Sequence, residues 1–160
     1  MMLVNFIRLA VAIVALYILM GSTGCQAKDR RPNRYLLPDG YIGWVRVNYR
    51  IQDAPALPIE DGYYLLRIPM NGLLDTSSNG EEGAAIDEYY YYLGENRRPL
   101  QHRTDNPLIW GAVGFGSKSN EPSRYEEFFV GTKDQYEQIG IKCKDGDLNP
   151  IAGPVEKCPK

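Results

Sequence analysis

Apolar and polar side chains alternate most regularly after Trp44, where Val45, Val47, Tyr49 and Ile51 interleave with Arg46, Asn48, Arg50 and Gln52. A period of two is that of an extended strand with one face toward a core and the other toward water. Tyr63–Ile68 repeats the pattern, with Tyr64, Leu66 and Ile68 on one face. Asn71-Gly72 then reads as a tight turn from which Leu73–Thr76 returns. Glu88–Leu93, Leu108–Phe115 and Tyr125–Val130 supply further strands. The proline-broken stretch 53–62, the loop 77–83 and the turn GluAsnArgArgPro at 95–99 separate them. One helix is expected late, about two turns long: Thr132 as its cap, Gln135 completing a capping box, Tyr136 and Ile139 on one face and Gly140 as its stop. Short strands and a single brief helix predict a mainly β fold, a single antiparallel β-sandwich, with a small, partly open barrel as the alternative.

The run Tyr89-Tyr90-Tyr91-Tyr92 divides under the same rule. Tyr89, Tyr91 and Leu93 share one face, and Tyr90 and Tyr92 the other. One pair fills a core and the other shields an outer face or stacks on a ligand. The candidate aromatic contact surface is Tyr89 and Tyr91 with Trp44, toward a protein or glycan partner. Aromatics are also good strand formers, so a purely structural role competes with it.

Residues 1–24 carry Arg8, an apolar run from Leu9 to Met20 and then Gly21, Ser22, Thr23 and Gly24, the layout of an export signal helix. The run is shorter than the roughly 20 residues that span a bilayer. Ser22-Thr23-Gly24-Cys25 resembles the bacterial lipoprotein box, with Ser22 where that pattern has Leu; the resemblance implies lipidation at Cys25. Lipidation leaves Cys143 and Cys158 as a pair, and a disulfide between them would pin the tail by about 3 kcal/mol. The expected organisation is a signal peptide over 1–24, a flexible basic tether over 25–35 and a sandwich domain over 36–160. The compartment is then a bacterial envelope membrane, with the chain exported and held by its lipid.

Net charge is −2 over 160 residues, which gives no electrostatic case for nucleic acid. Candidate chemistry is sparse. Gly111–Ser119 nearly spells a phosphate loop, but Ser117 intrudes before Lys118 and Pro122 follows where a helix should open. Asp145, Asp147, Asn149 and Glu156 have calcium-loop spacing, with Pro150 where glycine is required. His102 is the only histidine and sits in a polar loop, so neither a metal nor a cofactor is implied. The acidic pairs Asp87-Glu88 and Glu126-Glu127 could serve glycoside chemistry, but strand neighbours face opposite ways, so neither pair is itself a dyad.

LeuProAspGlyTyrIleGlyTrpValArgVal (37–47), AspGlyTyrTyr through IleProMetAsnGlyLeuLeu (61–74) and GluPhePheValGlyThr (127–132) resemble a family of small exported bacterial domains of unknown function. That resemblance implies a β-rich body and an export or lipoprotein signal, and brings no activity. The turn chemistry is also distantly similar to transthyretin-like and carboxypeptidase-regulatory sandwiches. The function expected is non-catalytic binding or scaffolding. Its alternatives are an inhibitor or immunity-type protein that caps another envelope protein, and a hydrolase using carboxylates assembled by the fold.

Overall fold

The structure is a computed structural model that describes residues 29–100, 105, 107–111, 115–117, 124–140 and 153–154. In chain order its elements are β1 (Asn33–Pro38), β2 (Gly43–Tyr49), β3 (Ile59–Glu60), β4 (Tyr63–Arg67), β5 (Leu73–Asp75), β6 (Glu88–Leu93), β7 (Asn96–Pro99), β8 (Ile109–Trp110), β9 (Phe115–Ser117) and β10 (Arg124–Val130). Helix α1 (Lys133–Gln135) follows, running on into a π turn at Tyr136–Gly140, and β11 (Gly153–Pro154) comes last. They form two sheets that face each other without closing into a barrel, the sandwich expected from the alternation.

One sheet has the order β3-β4-β1-β6-β7. The other is built on the long antiparallel pair β2 and β10, in register from Tyr49 opposite Arg124 to Gly43 opposite Val130. The outer edge of β2 is shared by β11 and β5, and that of β10 by β8 and β9. Between the sheets lie Tyr35 and Leu37 of β1, Leu66 and Ile68 from β4 and beyond, Tyr89 and Tyr91 of β6, Val45, Val47 and Tyr49 of β2, and Phe128 and Val130 of β10.

The pairing is mixed, which corrects the antiparallel expectation. β1 runs parallel to both β4 and β6, and β5 runs parallel to β2. Alternation tells which residues share a face and says nothing of strand direction. The sandwich also begins earlier than residue 36. Asn33, Arg34 and Tyr35, assigned to a flexible tether, belong to the central strand of the first sheet, with Tyr35 fully buried.

Asn71-Gly72 does make a turn, with the Gly72 amide donating to the Pro69 carbonyl at 2.9 Å, but it does not fold β5 back on β4. It carries the chain into the opposite sheet, where the Arg46 amide of β2 donates to the Gly72 carbonyl at 2.8 Å. The segment 95–99, expected as a turn, is instead mostly the exposed edge strand β7. A two-residue link opening on Gly94 (φ 60°) joins it to β6, and glycine tolerates that left-handed backbone. The expected strand Leu108–Phe115 resolves into β8 and β9. The capping box is present: the Thr132 amide donates to Gln135 Oε1 at 2.8 Å and the Gln135 amide to Thr132 Oγ1 at 3.3 Å.

Gly72 has φ 72°, and a Cβ there would collide with the Tyr41 hydroxyl and the Trp44 carbonyl, whereas a Cβ on Gly40 (φ 71°) would meet nothing. Gly72→Ala is therefore expected to destabilise by about 3 kcal/mol and Gly40→Ala by about 1 kcal/mol, read by chemical denaturation. Equal losses would show that the approach of the turn to β2 is not tight.

Candidate functional site

The period-two rule sorts the two acidic pairs. Glu88 and Glu127 face outward, Glu88 accepting from Arg34 Nε at 2.8 Å and Glu127 from Arg46 at 2.9 Å. Asp87 and Glu126 face inward, on the same sides of their strands as Tyr89 and Phe128, and are buried. The fold thus brings together one member of each pair. Asp87 accepts two hydrogen bonds from Arg30, at 2.9 and 2.5 Å, and a third from the Asn33 amide at 2.8 Å. Glu126 accepts from the Tyr35 hydroxyl at one oxygen and from the Tyr49 hydroxyl, 2.9 Å away, at the other. Asn33 Nδ2 donates to the Tyr35 hydroxyl at 2.9 Å, so a continuous polar chain runs from Arg30 to Tyr49 through the interior.

Burial disfavours the ionised form of Glu126 and raises its pKa above the ordinary value. The two tyrosine hydroxyls and Arg30 oppose the rise, and the charge of Asp87 adds to it. Burial likewise drives the Tyr35 and Tyr49 hydroxyls well above the usual range, so they stay protonated and serve as donors.

Beside this chain, where β1 begins, a cavity of about 290 Å³ opens among Arg31, Asn33, Tyr49, Leu57, Tyr64 and the loop Ser78–Glu81. Asn33 is 7 % exposed; its amide nitrogen serves Tyr35, and its carbonyl oxygen has no hydrogen-bond donor among the described residues. The Arg31 guanidinium lies over the Tyr64 ring at 5.2 Å, with no carboxylate in ion-pair range among the described residues. Glu81 instead accepts from the Arg31 backbone amide at 3.2 Å and from the Tyr64 hydroxyl at 2.9 Å. Neither Asp87 nor Glu126 lines the cavity.

The candidate aromatic surface is corrected. Tyr89 and Tyr91 are 5 % and 8 % exposed. The Tyr89 ring stacks on Tyr35 at 4.7 Å, and the Tyr91 hydroxyl donates to the Tyr41 carbonyl at 3.1 Å. Trp44 is also buried, on the far side of its sheet, against Phe129 and beneath Tyr136 of the π turn. β6 lies flat on its sheet and turns the Tyr89 face inward, so the pair left outside is Tyr90 and Tyr92. There Arg67 lies over the Tyr92 ring at 5.0 Å and Arg34 over Tyr63 at 4.3 Å.

Cys25, Cys143, Cys158, His102 and the calcium-spaced residues Asp145, Asp147, Asn149 and Glu156 lie outside the described residues. Of the near phosphate loop, Phe115–Ser117 is an edge strand paired to β10, and Lys118 lies outside the described residues.

A family model described as a family of unknown function (DUF6843) matches residues 29–139. The chain belongs to that family. The match starts at Asp29, as does the described body, ahead of the boundary at residue 36. A crystal structure named "Putative Lipoprotein from Bacillus anthracis" is similar in fold, with a TM-score of 0.55 and 22 % identity over 64 % of this chain and 71 % of that one. No curated protein matches the chain.

The Arg30 and Asp87 side chains are 13 % and 10 % exposed, so either one left alone would be a buried, uncompensated charge. Asp87→Asn and Arg30→Met are each expected to destabilise by about 3 kcal/mol and the double variant by less than their sum, measured as a double-mutant cycle in urea. Additive losses would mean the pair is not coupled. For Glu126, whose folded pKa is raised, stability is greatest while the carboxyl is protonated and declines as pH rises above about 4.5 toward the folded pKa. Glu126→Gln, neutral throughout, should flatten that decline in melting temperature; an unchanged slope would place the titration elsewhere.

Proposed function

We propose that the chain is a lipid-anchored protein of the bacterial envelope that works by binding, with the cavity where β1 begins as its recognition site. The observation that carries this reading is the buried Asn33 Oδ1 on the cavity wall, which accepts no hydrogen bond from the described residues, beside the Arg31 guanidinium stacked on Tyr64. Buried polar atoms without partners are rare in folded proteins, and one that faces a cavity suits a ligand. A hydrolase reading is less well supported. Both inward carboxylates accept hydrogen bonds from buried structural partners, and the cavity wall carries neither.

The anchor rests on Ser22-Thr23-Gly24-Cys25 and is supported by the name of the Bacillus anthracis protein. Asp29, only four residues after Cys25, already bridges to Ala84. At roughly 3.5 Å per residue the cavity end would stand within about 14 Å of the acyl chains. The site is then presented close to the membrane surface.

Mass spectrometry of the protein from membranes tests this reading. Residues 1–24 should be absent and Cys25 should carry diacylglyceryl, while Cys25→Ser should leave the membrane fraction. Unprocessed wild-type chain in the soluble fraction would contradict it.

A further inference from the structure

The cavity wall holds both donors and acceptors in reserve. Asn33 is buried, and two of its groups are committed: the backbone amide donates to Asp87 at 2.8 Å and Nδ2 to the Tyr35 hydroxyl at 2.9 Å. What the side chain has left for the cavity is Oδ1, which can only accept. Ser78 Oγ accepts from the Leu57 amide at 2.9 Å, and its own proton goes to no acceptor among the described residues. The Arg31 guanidinium lies over the Tyr64 ring at 5.2 Å, and its N–H groups make no hydrogen bond or ion pair among the described residues.

Neither sign of charge is favoured there. Glu81 stands on the same wall, accepting from the Arg31 backbone amide at 3.2 Å and the Tyr64 hydroxyl at 2.9 Å. An anion on the Arg31 guanidinium would share the wall with that carboxylate, and a cation on Asn33 Oδ1 would share it with Arg30 and Arg31. A neutral ligand avoids both repulsions, and it must donate at one point and accept at others. Sugar hydroxyls do this, since each is one donor and two acceptor sites, whereas a carboxylate only accepts and an ammonium only donates. Leu57 supplies apolar wall for the carbon ring. At about 290 Å³ the cavity falls just below the roughly 300–1,000 Å³ of sites for drug-sized molecules, so its ligand is small.

We infer that the cavity binds a neutral monosaccharide, one hydroxyl donating to Asn33 Oδ1 and others accepting from the Arg31 guanidinium and the Ser78 hydroxyl. This rests on the reading of the cavity as the recognition site and adds the class of ligand. The bond to Asn33 is the selective one, because a ligand that fills the cavity without a donor at that point leaves a buried acceptor unpaired.

Isothermal titration of the processed chain with D-glucose, D-galactose, D-mannose and N-acetyl-D-glucosamine, and with acetate, methylammonium and N-acetylglycinamide, tests it. At least one sugar should saturate at one site per chain, with the three other compounds each weaker by roughly tenfold or more. At one ring position the fluoro analogue of that sugar, which cannot donate, should bind as poorly as the deoxy analogue, roughly tenfold or more below the parent. Arg31→Met, which removes the donors and keeps the stem, should weaken the sugar by roughly tenfold or more in a chain that still melts as the wild type does. If acetate, methylammonium or N-acetylglycinamide binds as tightly as the sugars and Arg31→Met weakens it, the cavity reading survives and the sugar is overturned. If no sugar saturates up to about 10 mM, if every fluoro analogue keeps full affinity, or if binding ignores Arg31→Met, the sugar site is overturned outright.

Discussion

The strand Asn33–Pro38 lies between two parallel neighbours, β4 on one side and β6 on the other, and the rest of the sandwich is arranged around that insertion. A central strand has both edges hydrogen-bonded and, in a sandwich, one face in the core, so it is the hardest part of a sheet to remove. Here it is also the first element of the described chain. Its start is held by the Arg30 ion pair to Asp87, which immediately precedes β6, and its interior by Tyr35, stacked on Tyr89 and bonded across the interior to Glu126 of the other sheet. Because β1 is fixed in this way, Arg31 and Asn33 are fixed with it, and they line the cavity.

The polar chain from Arg30 to Tyr49 is an unusual thing to place between two sheets. Burying Glu126 and Asp87 carries a desolvation cost that an apolar core would avoid, and a half-satisfied network would be worse still. Each carboxylate oxygen has a donor, so the cost is offset locally and the network becomes specific: Glu126 meets both tyrosines only if β10 stands opposite β1 and β2 in this register. The same hydrogen bonds orient the cavity wall. Tyr49 and Asn33 each turn one polar group into the network and one side toward the cavity, which couples the order of the core to the shape of the site.

Much of this was legible in the chain. Val45, Val47 and Tyr49 announced β2, Thr132 and Gln135 announced the capped helix, and the tyrosine run was rightly divided into an inner and an outer pair. What alternation could not say was which pair went inside, since Tyr89 and Tyr90 are equally apolar and equally good in strands. It could not give strand direction either, and so missed β1 as a parallel neighbour of β4 and β6. Arg30, Arg31, Pro32 and Asn33 read as a solvated tether because their composition is polar; their burial depends on Asp87 and Glu81, which lie about 50 residues away and have no local signature. A signal for the inner carboxylates did exist. Asp87 shares parity with Tyr89 and Tyr91, and Glu126 with Phe128 and Val130, so the faces that hold the core hold these acids too.

That Asn33–Tyr35, expected at the end of a tether, are strand also alters how a lipid-anchored molecule would sit. Asp29 is already bridged to Ala84, so a lipid carried four residues earlier, at Cys25, would hold the body close to a bilayer surface. That arrangement depends on β1 being integral to the sheet. Hydrogen exchange of the processed chain, followed residue by residue, tests this most directly. The amides of Tyr35, Leu36 and Leu37 should exchange in the slowest class, together with those of Val45 and Phe128, through global unfolding. Exchange of β1 at the rate of the 77–83 loop, while β2 and β10 stay protected, would contradict the account.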